Sequence, residues 1–262
     1  LFGLCCFSEF ASEVSVTGNF LILGAGGGIG SEVARQLTAG GAKVFLAGRR
    51  EEPLAKLSEE LQAPFLVVDG TDFNQVEQLV KQAAETLGSL HGAANLIGSV
   101  LLKPAHLTSP QEFMSVVMTN LASAFALIRS AAMRMDPEGG NLVLMSSAAA
   151  HIGLANHEAI ASAKGGIEGL VRSAAATYAF RNVRVNAIAP GLVKTPMTER
   201  IWNQPKAAEM SKSLHPLGRF GETADIARGV CFLLSPQQSW MTGQILRIDG
   251  GLGDLKTLPR TT

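Results

Sequence analysis

Five glycines fall within seven residues in the stretch Phe20-Leu21-Ile22-Leu23-Gly24-Ala25-Gly26-Gly27-Gly28-Ile29-Gly30. Four apolar residues lead into them, the short continuous run of a strand buried on both faces. Apolar residues at helical spacing follow, among them Ile29, Val33, Ala34 and Leu37. Strand, glycine turn and helix together aim backbone amides and a helix N-terminus at one point, and the chemistry of such a point is phosphate binding. Glycine suits the turn because it tolerates positive φ and lets a pyrophosphate approach the backbone closely. Gly24, Gly28 and Gly30 give G-x-x-x-G-x-G. The pattern is not G-x-G-x-x-G, whose sixth position would be Ile29, and no Gly-Lys-Ser/Thr follows to make a nucleotide-triphosphate loop. The spacing therefore points to a dinucleotide, against the plain alternative of a flexible turn.

The elements that must position this turn alternate along the chain. Strands are expected at 20–23, 43–47, 65–68, 92–97, 141–145, 183–188 and 244–248, with helices over 51–62, 72–87, 110–135, 157–180 and 222–234. The alternation gives an α/β class: a single doubly wound, Rossmann-type domain, its mostly parallel sheet of about seven strands covered by helices on both faces. No repeat or linker interrupts it, so residues 18–262 form the domain and 1–17 an N-terminal extension. The stretch 189–220 is the longest irregular one and reads as a lid or binding loop. In such sheets the ligand lies beyond the carboxyl ends of the strands. Polar or glycine residues stand at six successive ends: the glycine turn, Gly48-Arg49-Arg50, Asp69-Gly70, Asn95-Leu96-Ile97-Gly98, Ser146-Ser147 and Pro190-Gly191. They read as one site, with Asp69 placed for an adenine.

Composition narrows the partners. The 262 residues carry 22 Lys plus Arg against 22 Asp plus Glu, a balance that gives no footprint for nucleic acid or an acidic membrane. Apolar residues make up 47% and charged residues 17%, which suits a buried sheet and leaves apolar surface for contacts between subunits. No uninterrupted apolar run approaches the ~20 residues of a spanning helix. Cys5, Cys6 and Cys231 lack metal-ligand spacing, so no metal is expected, and a reducing compartment, cytoplasm or organelle matrix, is the expected location. Residues 1–16 hold acidic but no basic side chains, unlike a targeting peptide, and a cleaved segment upstream of Leu1 stays open.

Taken together, these residues resemble the short-chain dehydrogenase/reductase family over about 20–251, nearly the whole chain. The family's T-G-x-x-x-G-x-G stands as Leu23 to Gly30, with Leu for Thr. Its N-N-A-G stands as Asn95-Leu96-Ile97-Gly98, and its P-G-x-x-x-T as Pro190-Gly191-Leu192-Val193-Lys194-Thr195. Its catalytic asparagine and serine match Asn120 and Ser147. Its Y-x-x-x-K stands as Ile160-Ala161-Ser162-Ala163-Lys164, and Met241-Thr242-Gly243-Gln244 with Asp249-Gly250-Gly251 match its last strand. The resemblance implies an NAD(P)-dependent oxidoreductase acting on a small alcohol or carbonyl. Cofactor contacts are implied at Gly24, Gly28, Ile29, Gly30, Arg49, Asp69, Gly70, Asn95, Lys164, Pro190, Gly191, Val193 and Thr195. Lysine would hold the ribose, serine orient the carbonyl, and asparagine hold a proton-relay water. A homodimer or homotetramer built on the long helices and the last strand is implied as well.

The pattern breaks at the proton donor. Ile160 stands where the family has its tyrosine, and Tyr178, the one tyrosine in the chain, lies roughly 20 Å farther along the same expected helix. His157 is placed one helical turn before Ile160 and two before Lys164, on the same face. Histidine exchanges its proton nearest neutrality, so His157 is the expected replacement donor. Two readings follow: an active oxidoreductase with an atypical donor, or a catalytically silent cofactor-binding subunit. After the second strand the chain reads Ala47-Gly48-Arg49-Arg50, with no acid where an NAD-type carboxylate would stand, so NADP(H) is expected in preference to NAD(H), with Arg49 the main contact and Arg50 secondary. His91, His106 and His215 are expected at the surface.

Overall fold

The strands are apolar on alternate sides because each face of the sheet is covered by its own set of helices. A computed structural model describes residues 16–256. Its strands are β1 (Asn19–Leu23), β2 (Lys43–Gly48), β3 (Phe65–Val67), β4 (Gly92–Asn95), β5 (Gly140–Met145), β6 (Val183–Pro190) and β7 (Ile245–Ile248). All pair in parallel, in the order β3-β2-β1-β4-β5-β6-β7. The helices are α1 (Gly28–Ala39), α2 (Glu51–Leu61), α3 (Phe73–Leu87), α4 (Pro110–Val117), α5 (Ser123–Ala131), α6 (Glu158–Tyr178), α7 (Glu199–Trp202), α8 (Pro205–Ser213) and α9 (Thr223–Leu234). Leu21, Leu23, Phe45, Ala93, Leu142 and Leu144 pack on one face with residues of α3, α5 and α6. Phe20, Ile22, Val44, Leu46, Ala94 and Val143 pack on the other with α1, α2 and α9. A one-residue slip of any central strand would exchange these two sets, so the register is fixed. Winding reverses between β1 and β4, which lie side by side with Leu23 opposite Asn95. That is the switch point at which an open α/β sheet binds its ligand.

Three expected boundaries move, each for a local reason. The helix expected over 110–135 breaks into α4 and α5 around a π-helical turn, Met118–Ala122, where the Ser123 N–H reaches back to Met118 O. Asn120 sits in this turn with its Nδ2 donating to Val116 O at 3.0 Å, and a side chain that bonds the ladder in this way opens it. β4 stops at Asn95 rather than at 97, because Asn95 Oδ1 accepts the Ile97 N–H at 2.9 Å and closes a turn. The stretch 189–220 is not irregular throughout: it contains α7 and α8, too short and too polar on their outer faces to show a helical pattern. This excursion is closed at its base, where Val193 pairs with Gly221 and their neighbours exchange backbone bonds, Gly221 N–H to Leu192 O and Lys194 N–H to Gly221 O, each 2.9 Å.

Pro110–Ala131 is the one stretch among the described residues long and apolar enough to cross a bilayer by length and composition; 44% of it is buried in the fold, where α5 packs on the sheet as a core helix. Cys5, Cys6 and most of the expected N-terminal extension lie outside the described residues.

The β4–α4 connection carries residues of the site and is tied down by charge. Ser109 Oγ accepts the Glu112 N–H, and the Glu112 carboxylate accepts the Ser109 N–H at 2.8 Å and meets Lys103 Nζ at 2.8 Å. The Lys103 ammonium, with the Ser109 amide, holds the Glu112 carboxyl down to about 2. A carboxyl lowered in the folded state contributes above its unfolded value of about 4.5 and loses that contribution as pH falls toward 2. Glu112→Gln is expected to melt lower than the parent at neutral pH and to converge with it at the acid end. Thermal melts along the acid limb check this; a gap that does not narrow with falling pH counts against it.

Candidate active site

The glycine turn is shaped by backbone meeting backbone. A Cβ on Gly24, whose φ is +99°, would lie 2.8 Å from the Leu96 carbonyl carbon, and one on Gly30 would lie 2.2 Å from Gly24 O. No side chain caps α1 at Gly27. The first amides of the helix, at Gly28, Ile29 and Gly30, thus have no intrahelical acceptor, and these residues line a cleft of about 430 Å³ at the switch point. A bare helix N-terminus with no room for a Cβ suits a dinucleotide pyrophosphate.

The same cleft is lined by Asn120, Ser147, Lys164, Pro190, Gly191, Val193 and Thr195, residues 90 to more than 160 positions away from the turn along the chain. Asn120 is buried, its Oδ1 accepting from the Ser99 N–H at 3.2 Å and its Nδ2 donating to Ser99 Oγ at 2.9 Å. Ser147 follows β5, with its Oγ accepting the Ala149 N–H at 3.2 Å and its own hydroxyl hydrogen left to donate. Lys164 is buried, and its Nζ donates to Met145 O at 2.7 Å. Loss of water around this ammonium pushes its pKa down to about 7. Gly191 has no room for a side chain, since a Cβ would lie 2.8 Å from His215 Nε2.

Other expected site residues serve the cleft without lining it. Gly24 shapes the turn. Asn95 is buried and ties the end of β4 to α5 through Ser123 Oγ at 3.1 Å. Asp69 accepts from the Thr71 N–H (2.9 Å) and Oγ1 (2.8 Å), a turn-closing role, and Gly70 packs beneath Ile97. Arg49 is exposed beyond the cleft wall, whereas Arg50 lines it and donates from Nη2 to Gly26 O at 3.1 Å.

The position expected to match the family tyrosine has apolar surroundings. Ile160, 5% exposed, packs with Val116, Ala159 and Ala163, and Tyr178 ends α6 against the core. Ile160 and Ser147 separate the cleft from a second pocket of about 340 Å³, which both also line and which His157 enters. His157 precedes the first turn of α6 rather than lying within it, so the helical-face argument holds only loosely. Its Nδ1 bonds Ala155 O at 2.8 Å, which makes Nδ1 the protonated nitrogen of the neutral ring and leaves Nε2 as the acceptor. His215, expected at the surface, is instead buried, with Leu192 N–H donating to its Nε2 and Nδ1 bonding Ser211 O.

One buried network escaped the sequence. Glu168, one turn beyond Lys164, accepts from Ser146 Oγ at 2.8 Å and meets His151 Nε2 at 2.9 Å. A glutamate on an alanine-rich helix face reads as solvated; only the tertiary fold reveals that β5 ends against it.

The family model described as enoyl-(acyl carrier protein) reductase matches residues 24–253. A chloroplastic tropinone reductase homolog of Arabidopsis thaliana is 34% identical over 92% of this chain and 77% of its own. A 3-oxoacyl-[acyl-carrier-protein] reductase of Thermotoga maritima is 33% identical over 88% of this chain and 96% of its own. The chain belongs to the short-chain dehydrogenase/reductase family. The solved structure of a short-chain type dehydrogenase/reductase from Mycobacterium ulcerans superposes with a TM-score of 0.88, at 30% identity, covering 92% of this chain and 91% of that one. The family's members are oxidoreductases that use NAD(P)(H), and the cleft here is of that nucleotide-binding type.

Lys164 makes this site pH-sensitive in two opposed ways. The unfolded lysine keeps its proton to about 10.5 and the folded one only to about 7, so the burial penalty is full below pH 7 and is relieved as pH rises. Dinucleotide affinity is expected to go the other way, weakening above pH 7 as the ammonium that faces the cleft discharges. Fluorescence titration of the reduced dinucleotide checks this: the parent should show a break near pH 7, and Lys164→Met should bind weakly without one.

Proposed function

We propose that this chain is an NADP(H)-dependent oxidoreductase interconverting a carbonyl and an alcohol, with His157 as the proton donor. The observation that carries the reading is the shared wall: Ser147 borders both the dinucleotide cleft and the pocket that His157 enters. The nicotinamide supplies hydride when bound. Lys164 holds the ribose hydroxyls, and Asn120, braced by Ser99, fixes the loop opposite. Ser147 donates its free hydroxyl hydrogen to the carbonyl oxygen. His157 delivers the proton from Nε2 as the imidazolium, directly or through one water, and accepts it there as the neutral ring in the oxidation direction. The preference for NADP(H) is supported by two cations and no acid at the end of β2, with Arg50 the nearer to the cleft and Arg49 beside it. The free, half-buried Cys231 accords with a reducing compartment, the cytoplasm or an organelle matrix.

A specific observation favours the second reading, a silent dinucleotide-binding subunit: Ile160 is sealed into apolar neighbours, and no hydroxyl replaces the tyrosine. Oxidation of NADPH against a carbonyl panel, beside a direct NADPH-binding titration, separates the two. His157→Ala is expected to lower turnover by about 10²–10⁴-fold with NADPH affinity nearly unchanged. Ile160→Tyr is expected to raise turnover, since Asn120, Ser147 and Lys164 are in place. Full activity in His157→Ala would rule out the histidine donor, and NADPH binding with no turnover on any carbonyl or alcohol would leave the silent subunit. Arg49→Ser/Arg50→Ser is expected to weaken NADPH by about 10–100-fold and NADH little.

A homodimer or homotetramer is the assembly we propose. Met114, Met118 and Phe125 expose apolar surface along α4 and α5, and β7 leaves one sheet edge unpaired in the protomer. Light scattering at micromolar concentration should return a multiple of the chain mass; a clean monomer refutes it.

A further inference from the structure

The second pocket is unusual in what it lacks. Among the described residues, no Lys, Arg, Asp or Glu lines it. Its walls are Leu154, Ile160, Leu192, Ile201, Met210 and Leu214, brought by the β5–α6 loop, α6 and the α7–α8 excursion. Met210 and Leu214 are 71% and 51% exposed, an apolar rim on a helix that otherwise faces water.

The few polar side chains present are mostly already engaged. His215 spends both ring nitrogens, Nε2 accepting from Leu192 N–H at 3.1 Å and Nδ1 bonding Ser211 O at 2.7 Å. Thr198 Oγ1 donates to Val193 O at 2.6 Å and accepts from the Thr195 N–H at 3.1 Å. His157 Nδ1 is held by Ala155 O. What remains for a ligand is the Ser147 hydroxyl and His157 Nε2, on the side that borders the dinucleotide cleft, and the Ser211 hydroxyl on α8. A substrate carrying several hydroxyls, a carboxylate or a phosphate would lose more water here than these three groups replace.

We infer that the substrates are neutral, predominantly hydrocarbon ketones and the matching secondary alcohols, with at most one further polar group. The inference rests on the oxidoreductase reading above, and it adds the chemical class to it. The reacting oxygen lies between Ser147 and His157, and the hydrocarbon body extends away from the cleft toward Met210 and Leu214. On reduction the C=O π bond breaks as its carbon takes a hydride and its oxygen a proton, and the reduced dinucleotide is oxidised.

The test separates binding from turnover. The full chain, saturated with NADPH or NADP+, is titrated calorimetrically with 2-decalone, a six-carbon ketose and a 2-keto acid, and each is then assayed for NADPH oxidation. Decalone is expected to bind at least tenfold more tightly than the other two and to be reduced. Ile201→Asp is expected to weaken decalone by tenfold or more while leaving NADPH affinity unchanged, and Met210→Gln to weaken it by less. NADPH affinity reports that each variant is folded. Decalone binding without turnover keeps the apolar ligand class and rejects the oxidoreductase reading. Ketose or keto acid binding as tightly as decalone overturns the inference, as does failure of all three to bind, or decalone affinity unmoved in both variants.

Discussion

The close approach of Gly24 to Gly30 and Leu96 is the constraint on which the site depends. Backbone atoms meet where no Cβ fits, and this sets both the start of α1 and the exit of β4. The helix N-terminus and the loop bearing Gly98 and Ser99 are therefore placed by the same contact. Asn95 completes the junction from below, spending one side chain on its own turn and on the first residue of α5. The result is a cleft whose floor, at the glycine turn, is built from main chain.

Across the cleft, the end of β5 plays the matching part. Met145 O accepts from Lys164, Ser146 is held by Glu168, and Ser147 is free to face a ligand. Consecutive residues of one strand end thus serve the lysine, the buried carboxylate and the reacting group. Ile160 belongs to the same helix as Lys164 and Glu168, one turn before the first, and it exchanges a hydroxyl for hydrocarbon at the border of two pockets. Ile160 thus adds its hydrocarbon to a second pocket whose other walls, Leu154, Leu192, Ile201, Met210 and Leu214, are apolar as well.

Most of the architecture was legible because it follows from period and punctuation. The strands and the long helices α1, α3, α6 and α9 appear where alternation and helical spacing put them, and the ends of β1, β2, β4, β5 and β6 meet at the cleft, while Asp69 and Gly70 after β3 do not line it. What the sequence hid depended on contacts between distant segments. Asn120 bonding Val116 O splits a helix that is continuous by pattern. His215 looks like a surface residue until Leu192 and Ser211 enclose it. Glu168 looks solvated until β5 ends beside it. Arg49 and Arg50 are adjacent and equivalent as letters, yet only the second turns back over the glycine turn.

The bridge between Val193 and Gly221 has a consequence for how such a fold diversifies. The chain between them leaves the sheet and returns to it through one closed gate, carrying both Thr195, which lines the dinucleotide cleft, and α7 and α8, which line the second pocket. The stub that anchors it is main chain joined by the Lys194–Glu222 ion pair, so side chains of α7 and α8 can change while the strand order and the glycine turn stay as they are. Much of the wall that would meet the ligand is thereby written on an exchangeable cassette, while the strand ends and α6 that carry Ser147 and Lys164 belong to the frame that holds it.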